Sequence, residues 1–250
     1  MRPFAAVTVV LLAASLAFGQ AKPPLKPKSN AEAKAVNAML TAQDPDSRIK
    51  AADELITKYA DTPFKSLALY LEADAYSQKN DPDKAIVFAE QAVDADPTNY
   101  QAYVLLTKTY ASTTHFNDLD KAEKLAKIDK YSKLALTNLE TADKPNPKLG
   151  DAEWKQAKDD LAGQVYLGMG IAAAYSNKID DAKADFDKVA AMDQDPTDLI
   201  RAGRALLDVK KWADAVTYFE KAAASPNASA QIKQIAESDK ARAQAMLPKK

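Results

Sequence analysis

The chain of 250 residues has no cysteine, one histidine and only six glycines. Without thiols it can form no disulfide, no thiolate metal site and no cysteine nucleophile, and it offers no attachment point for the acyl chains of a lipoprotein. A single imidazole, His115, excludes any site built on two histidines and leaves a serine with one candidate base. Scarce glycine, in a chain rich in Ala, Lys, Asp and Leu, argues for helix throughout and against a separate strand-rich domain. An excess of charge is missing too, because 34 basic and 35 acidic residues are mixed along the chain for a net charge of −1. No basic stripe tracks a phosphate backbone, so nucleic acid is not expected as a partner. Glycine-rich phosphate loops, serine-elbow motifs and zinc signatures are absent, and neither catalysis nor a cofactor is expected.

One apolar run stands out, from Phe4 to Phe18, interrupted only by Thr8 and Ser15. It is shorter than the ~20 residues of a membrane span. Arg2 precedes it, and small residues follow at Ala17, Gly19 and Ala21. That order of charge, apolar core and small residues reads as a secretory signal over 1–21, with cleavage after Gly19 or after Ala21. An uncleaved anchor is the competing reading. Residues 22–30, beginning KPPLKPKS, form a proline- and lysine-rich spacer. The mature protein is therefore expected to be exported, periplasmic or secreted, without a lipid anchor.

Beyond the spacer, the same residue types return at a fixed spacing. Ala51 and Ala85, Pro63 and Pro97, and Tyr76 and Tyr110 lie thirty-four residues apart; Gly170 and Gly203, Ala182 and Ala215, and Phe186 and Phe219 lie thirty-three apart. A period of this length, filled by helical pattern, implies stacked helix pairs that are each too small to bury their own apolar face. The clearest unit spans Ser66–Asn99, with Leu69, Ala73 and Tyr76 on a first helix and Ala85, Ala89 and Ala92 on a second before Pro97. Asp81 is placed to cap the second helix, and Pro82 fits its first turn.

This unit resembles the tetratricopeptide repeat. The resemblance implies an all-α, right-handed superhelical solenoid of antiparallel helix pairs over 31–246, with its best repeats at 66–99, 100–139, 163–195 and 196–229. An amphipathic capping helix follows at 228–246, placing Ile232, Ile235, Ala236, Ala243 and Met246 on one face, and 247–250 is a tail. Glu72 occupies a core place where the family prefers leucine. Between Ser112 and Asn117 the turn is lengthened, and an insertion at about 140–150 is expected to project from the solenoid. Division of the array into two sub-arrays there is the open alternative. Trp154, just beyond the insertion, is weighed as a partner anchor against ordinary helix packing, and packing is preferred.

In this family the concave surface is lined by the first helix of each pair, and proteins or peptides bind there. Carried over by position, the lining is Leu67, Tyr70, Asp74 and Gln78; Gln101, Val104, Lys108 and Ser112; Gln164, Leu167, Ile171 and Tyr175; and Thr197, Ile200, Arg204 and Asp208. One branch of the family clamps a terminal carboxylate with lysines, asparagines and an arginine. Tyr70 and Asp74 stand where that clamp needs lysine and asparagine, so the clamp is not supported. The turn KYADTP resembles those of cell-envelope assembly and maintenance proteins, and the expected function is an exported scaffold that holds partner polypeptides. A groove that stacks a glycan on Tyr70, Tyr103, Tyr166 and Tyr175 is the alternative, and self-association through an open apolar end is a further possibility. The acidic pairs at Asp180 and Asp181, Asp185 and Asp187, and Asp193 and Asp195 lack the ligand spacing of an EF-hand and read as solvated helix surface.

Overall fold

The computed structural model describes residues 25–146, 148–192 and 195–248. The signal-like stretch, both of its candidate cleavage positions, Lys22–Pro24 of the spacer, and Asp193 lie outside them. Among the described residues there are eleven helices: α1 (Asn30–Thr41), α2 (Pro45–Lys58), α3 (Lys65–Gln78), α4 (Pro82–Ala95), α5 (Tyr100–Thr113), α6 (Lys121–Glu140), α7 (Asp151–Tyr175), α8 (Ile179–Met192), α9 (Pro196–Asp208), α10 (Trp212–Ala224) and α11 (Ala230–Ala245). Each packs on its chain neighbours, and α5, α7 and α9, the first helices of successive pairs, also pack on one another. The result is a continuous solenoid of five helix pairs closed by α11.

The helix starts follow from local chemistry. Asp44, Asp81, Asn99, Asp195 and Ser229 each accept a hydrogen bond from a backbone N–H in the first turn, and Pro45, Pro82 and Pro196 occupy the first helical position, where a missing N–H costs nothing. Three of the turns within pairs share one construction. Asn80, Asn177 and Lys210 adopt φ of 57°, 60° and 62°. At each, the N–H of the left-handed residue and that of its successor reach back to the last turn of the helix: Asn80 to Ser77 and Asp81 to Tyr76, Asn177 to Ala174 and Lys178 to Ala173, Lys210 to Leu207 and Lys211 to Leu206. These are Schellman closures, which satisfy carbonyls that a helix end would otherwise leave bare.

Small residues let the paired helices close on one another. A Cβ on Gly170 would lie 2.3 Å from the Phe186 ring, and one on Gly203 would lie 2.6 Å from the Phe219 ring. Both rings are fully buried in the core that joins α7 to α10. In the pair α3 and α4 the same register holds Ala73 and Ala89, both buried, and the aromatic of α4, Phe88, stacks instead on Tyr76 at 5.2 Å.

Polar ties repeat with the period of the chain. Lys28 Nζ donates to Asp61 (2.5 Å), Asn99 Nδ2 to Ser66 Oγ (2.8 Å), Tyr175 Oη to Asp208 (2.8 Å) and Arg204 Nε to Asp239 (2.7 Å). On the side formed by the second helices, one carboxylate gathers a tyrosine and a lysine from the next pair. Glu90 of α4 accepts from Tyr131 Oη (2.7 Å) and Lys127 Nζ (3.0 Å) of α6, and Asp187 of α8 accepts from Tyr218 Oη (3.1 Å) and Lys221 Nζ (2.6 Å) of α10. Among the described residues no such tie joins α6 to α8. A cleft of about 570 Å³ opens between them over Met169, Ala172 and Ala173 of α7.

The insertion does not divide the array. Helices α6 and α7 run past the length of the others, 20 and 25 residues against 12 to 16, and pack on each other beside α5. Trp154, 8% exposed, lies at the start of this extension against Tyr100, with ring centroids 6.4 Å apart. It is a packing residue and is closed to a partner. At the far end, α11 buries Ala236 and Ala243 and rests Ile232 and Ile235 on the core, whereas Met246 follows the helix and is 49% exposed.

Candidate protein-binding groove

The groove expected on the first helices is built on α3, α5, α7 and α9. Its residues divide into two sets. Val104, Leu167, Ile171, Tyr175 and Ile200 are buried, because α5, α7 and α9 approach so closely that these positions face a neighbouring helix. A Cβ on Gly168 would sit 2.7 Å from the Thr107 side chain, which gives the measure of that approach. Tyr175 donates to Asp208, and its phenol is raised first by burial and then by that carboxylate. The turn after α5 folds over the same ring, with Phe116 edge-on at 5.9 Å. Arg204 and Asp208 remain exposed, but Arg204 is engaged by Asp239.

The second set is open. Tyr70, Asp74 and Gln101 are partly exposed, and Gln78 and Lys108 are exposed. At spacings of three or four residues, Leu67, Tyr70, Asp74 and Gln78 form one strip along α3. Gln78 Nε2 donates to Asp74 at 2.7 Å. Arg48, on α2, approaches Asp74 at 3.6 Å and donates to the Ala42 carbonyl at 3.0 Å. The Tyr70 phenol is pushed up to about 12, first by burial and then by the charge of Asp74, with Arg48 opposing. It therefore stays a hydrogen-bond donor throughout the physiological range. At the start of α3 the strip opens into a cleft of about 680 Å³ between the turns that follow α2 and α4, lined by Leu67, Tyr100, Gln101 and Pro63.

Leucine, two tyrosines, two glutamines and a mixed ion pair on rigid helices suit a polypeptide, which brings apolar side chains together with main-chain donors and acceptors. Residues 67–99, spanning α3 and α4 and hence this strip, match the family defined as the tetratricopeptide repeat. The chain carries a tetratricopeptide repeat. A thermophilic TPR protein of Thermus thermophilus superposes with a TM-score of 0.48 and 16% identity, over 84% of this chain and 97% of its own. Among curated proteins, none matches the chain in sequence.

Tetratricopeptide repeats generally bind proteins or peptides through the inner face of the stack. Arg48 was not legible as part of that face, because it lies on a second helix and the family template reads only first helices. Tyr100 was hidden for another reason: its ring lies at a helix start, where the lining pattern assigns no position. Of the four tyrosines considered as stacking surfaces for a glycan, Tyr103 and Tyr175 are buried, and Tyr166 lies beneath Lys188 with the ammonium 4.3 Å from its ring. His115 is exposed in the long turn, 3.6 Å from Asp118. Among the described residues, no three carboxylates or imidazoles gather in a way that would hold a metal ion.

Proposed function

We propose that this chain is an exported tetratricopeptide-repeat scaffold that holds a partner polypeptide along the α3 strip, in the assembly or maintenance of the cell envelope. The observation that carries this reading is the accessible run of Leu67, Tyr70, Asp74 and Gln78 beside Arg48, Tyr100 and Gln101, which continues into an open cleft, whereas the groove along α5, α7 and α9 is interrupted by buried Val104, Leu167, Ile171, Tyr175 and Ile200. The mechanism is preorganisation. Stacked helices fix the surface before binding, so the partner alone bears the ordering cost. The signal-like amino terminus supports export, and the KYADTP turn supports an envelope role.

A photo-crosslinking residue in place of Tyr70 is expected to capture a polypeptide in the intact envelope, whereas the same residue in place of Val87, half exposed on α4, captures none. Adducts formed only from Val87 would move the binding surface to the outer face and sink the groove reading. Tyr70→Ala is expected to weaken the captured interaction tenfold or more. Export is read separately, since the mature protein should begin at Gln20 or Lys22 and a chain retaining Met1 would refute cleavage.

A further inference from the structure

Glu72 lies on α3 between Leu69 and Ala73, both core residues, and is 1% exposed. Neither of its carboxyl oxygens has a hydrogen-bond partner. Three helices pack on α3, namely α2, α4 and α5. From α2 the charged group that acts on Glu72 is Asp53, of its own sign, and among the described residues no charged group of α4 or α5 acts on it. The cation that crosses the interface between α2 and α3, Arg48, is engaged by Asp74 and the Ala42 carbonyl. An ionised carboxylate in this place would be buried, unpaired and repelled, which a fold does not tolerate without expelling the group or keeping its proton. Burial, then the charge of Asp53 and its carboxylate as an acceptor towards the retained proton, accordingly raise this carboxyl to about 8.

Helices α1 and α2 are the first unit of the stack. Their shared core with α3 is the smallest of the three clusters, formed by Val36, Met39, Ala52, Leu55, Phe64 and Ala68. The polar ties from α2 to α3, Arg48 to Asp74 and Lys79 to Asp46, are surface pairs, which contribute little in water. Terminal units of a solenoid have a neighbour on one side only and open first. We propose that the proton on Glu72 latches the α1–α2 pair against α3, so that rising pH releases this pair while the remaining stack stays folded. Release carries Arg48 away from Asp74 and Tyr70 and so dismantles the amino-terminal end of the groove; this second consequence rests on the binding reading above, but the release itself does not.

Because the chain lacks cysteine, two thiols can be introduced without competition. Asn37→Cys on α1 and Gln91→Cys on α4, both exposed, would carry a donor and an acceptor dye, and energy transfer would be followed from roughly pH 4 to 10. The expected result is a loss of transfer as pH rises through the window between the ordinary value of 4.5 and about 8, levelling off above it and absent in Glu72→Leu and in Glu72→Gln. Asp53→Asn, at an exposed position, should bring the upper end of that window to lower pH by removing the like charge. A flat trace in the parent chain, or the same loss in parent and Glu72→Leu, would overturn the latch. So would an unmoved upper end of the window in Asp53→Asn, a variant that does not disturb the core. Crosslinking from Tyr70 at neutral pH is unaffected by any of these outcomes, so the latch and the groove fail separately.

Discussion

A glycine facing a phenylalanine ring recurs at Gly170 with Phe186 and at Gly203 with Phe219. Gly203→Ala would gain about 1 kcal/mol of helix propensity and lose more to overlap with a ring that cannot swing away, for a net destabilisation of about 1–2 kcal/mol. A denaturant midpoint at or above the parent value would show that the ring yields. The pairing was legible beforehand, because both partners return at thirty-three residues; the Ala73 and Ala89 pair shows the same contact with the volume divided differently. Glu72 was legible only as a departure from leucine. That its carboxyl is buried with only the like-charged Asp53 of α2 acting on it follows from tertiary packing, which spacing does not reveal. The stability that its retained proton lends is complete below about 4.5, the ordinary value, and is lost as pH rises to about 8. The parent fold should thus weaken across that window, by at most roughly 5 kcal/mol, and then level off. Glu72→Leu should be more stable at neutral pH, with urea midpoints that change little over the same window. A parent curve of unchanging midpoint there would disprove the buried neutral acid.

Three turns end in a left-handed residue, but only two of them use asparagine. Lys210 holds φ of 62° with a side chain that gains nothing from it. Lys210→Gly should raise stability by about 1 kcal/mol, since glycine meets no Cβ penalty in this region. Calorimetry would register the change as a rise of a few degrees in Tm. The turn after α5 follows other rules. Asp118 accepts from the His115 N–H (2.9 Å) and from Lys124 (3.0 Å), both of which hold its carboxyl low, and the seven residues between α5 and α6 are ordered without a left-handed position. Helix boundaries were largely readable from caps and prolines. The course of α7 was not, because its first half packs through contacts outside the repeat, such as Trp154 on Tyr100.

The molecule as a whole behaves as a line of neighbours. Helix α11 covers the face of α9 and α10 and buries Ala236 and Ala243 there. Removing residues from Ser229 onward should expose that apolar face and drive self-association, visible as a higher mass in sedimentation velocity; a truncated chain that stays monomeric would deny α11 its capping role. The period, the order of pairs and the cap were all present in the sequence. How tightly α5, α7 and α9 converge was not, since it depends on Gly168 meeting Thr107 across sixty-one residues of chain, and for that reason Val104, Leu167, Ile171, Tyr175 and Ile200 proved to be core.

The outer ties are distributed unevenly, and this has a mechanical result. Carboxylate clips join α4 to α6 and α8 to α10, yet α6 and α8 face each other across an open cleft, while on the inner side α5 and α7 interlock. A rod fastened along one edge and slit along the other bends at the slit. Flexing of the stack should therefore concentrate at its middle, where opening or closing that seam alters the curvature presented to anything lying along the opposite side.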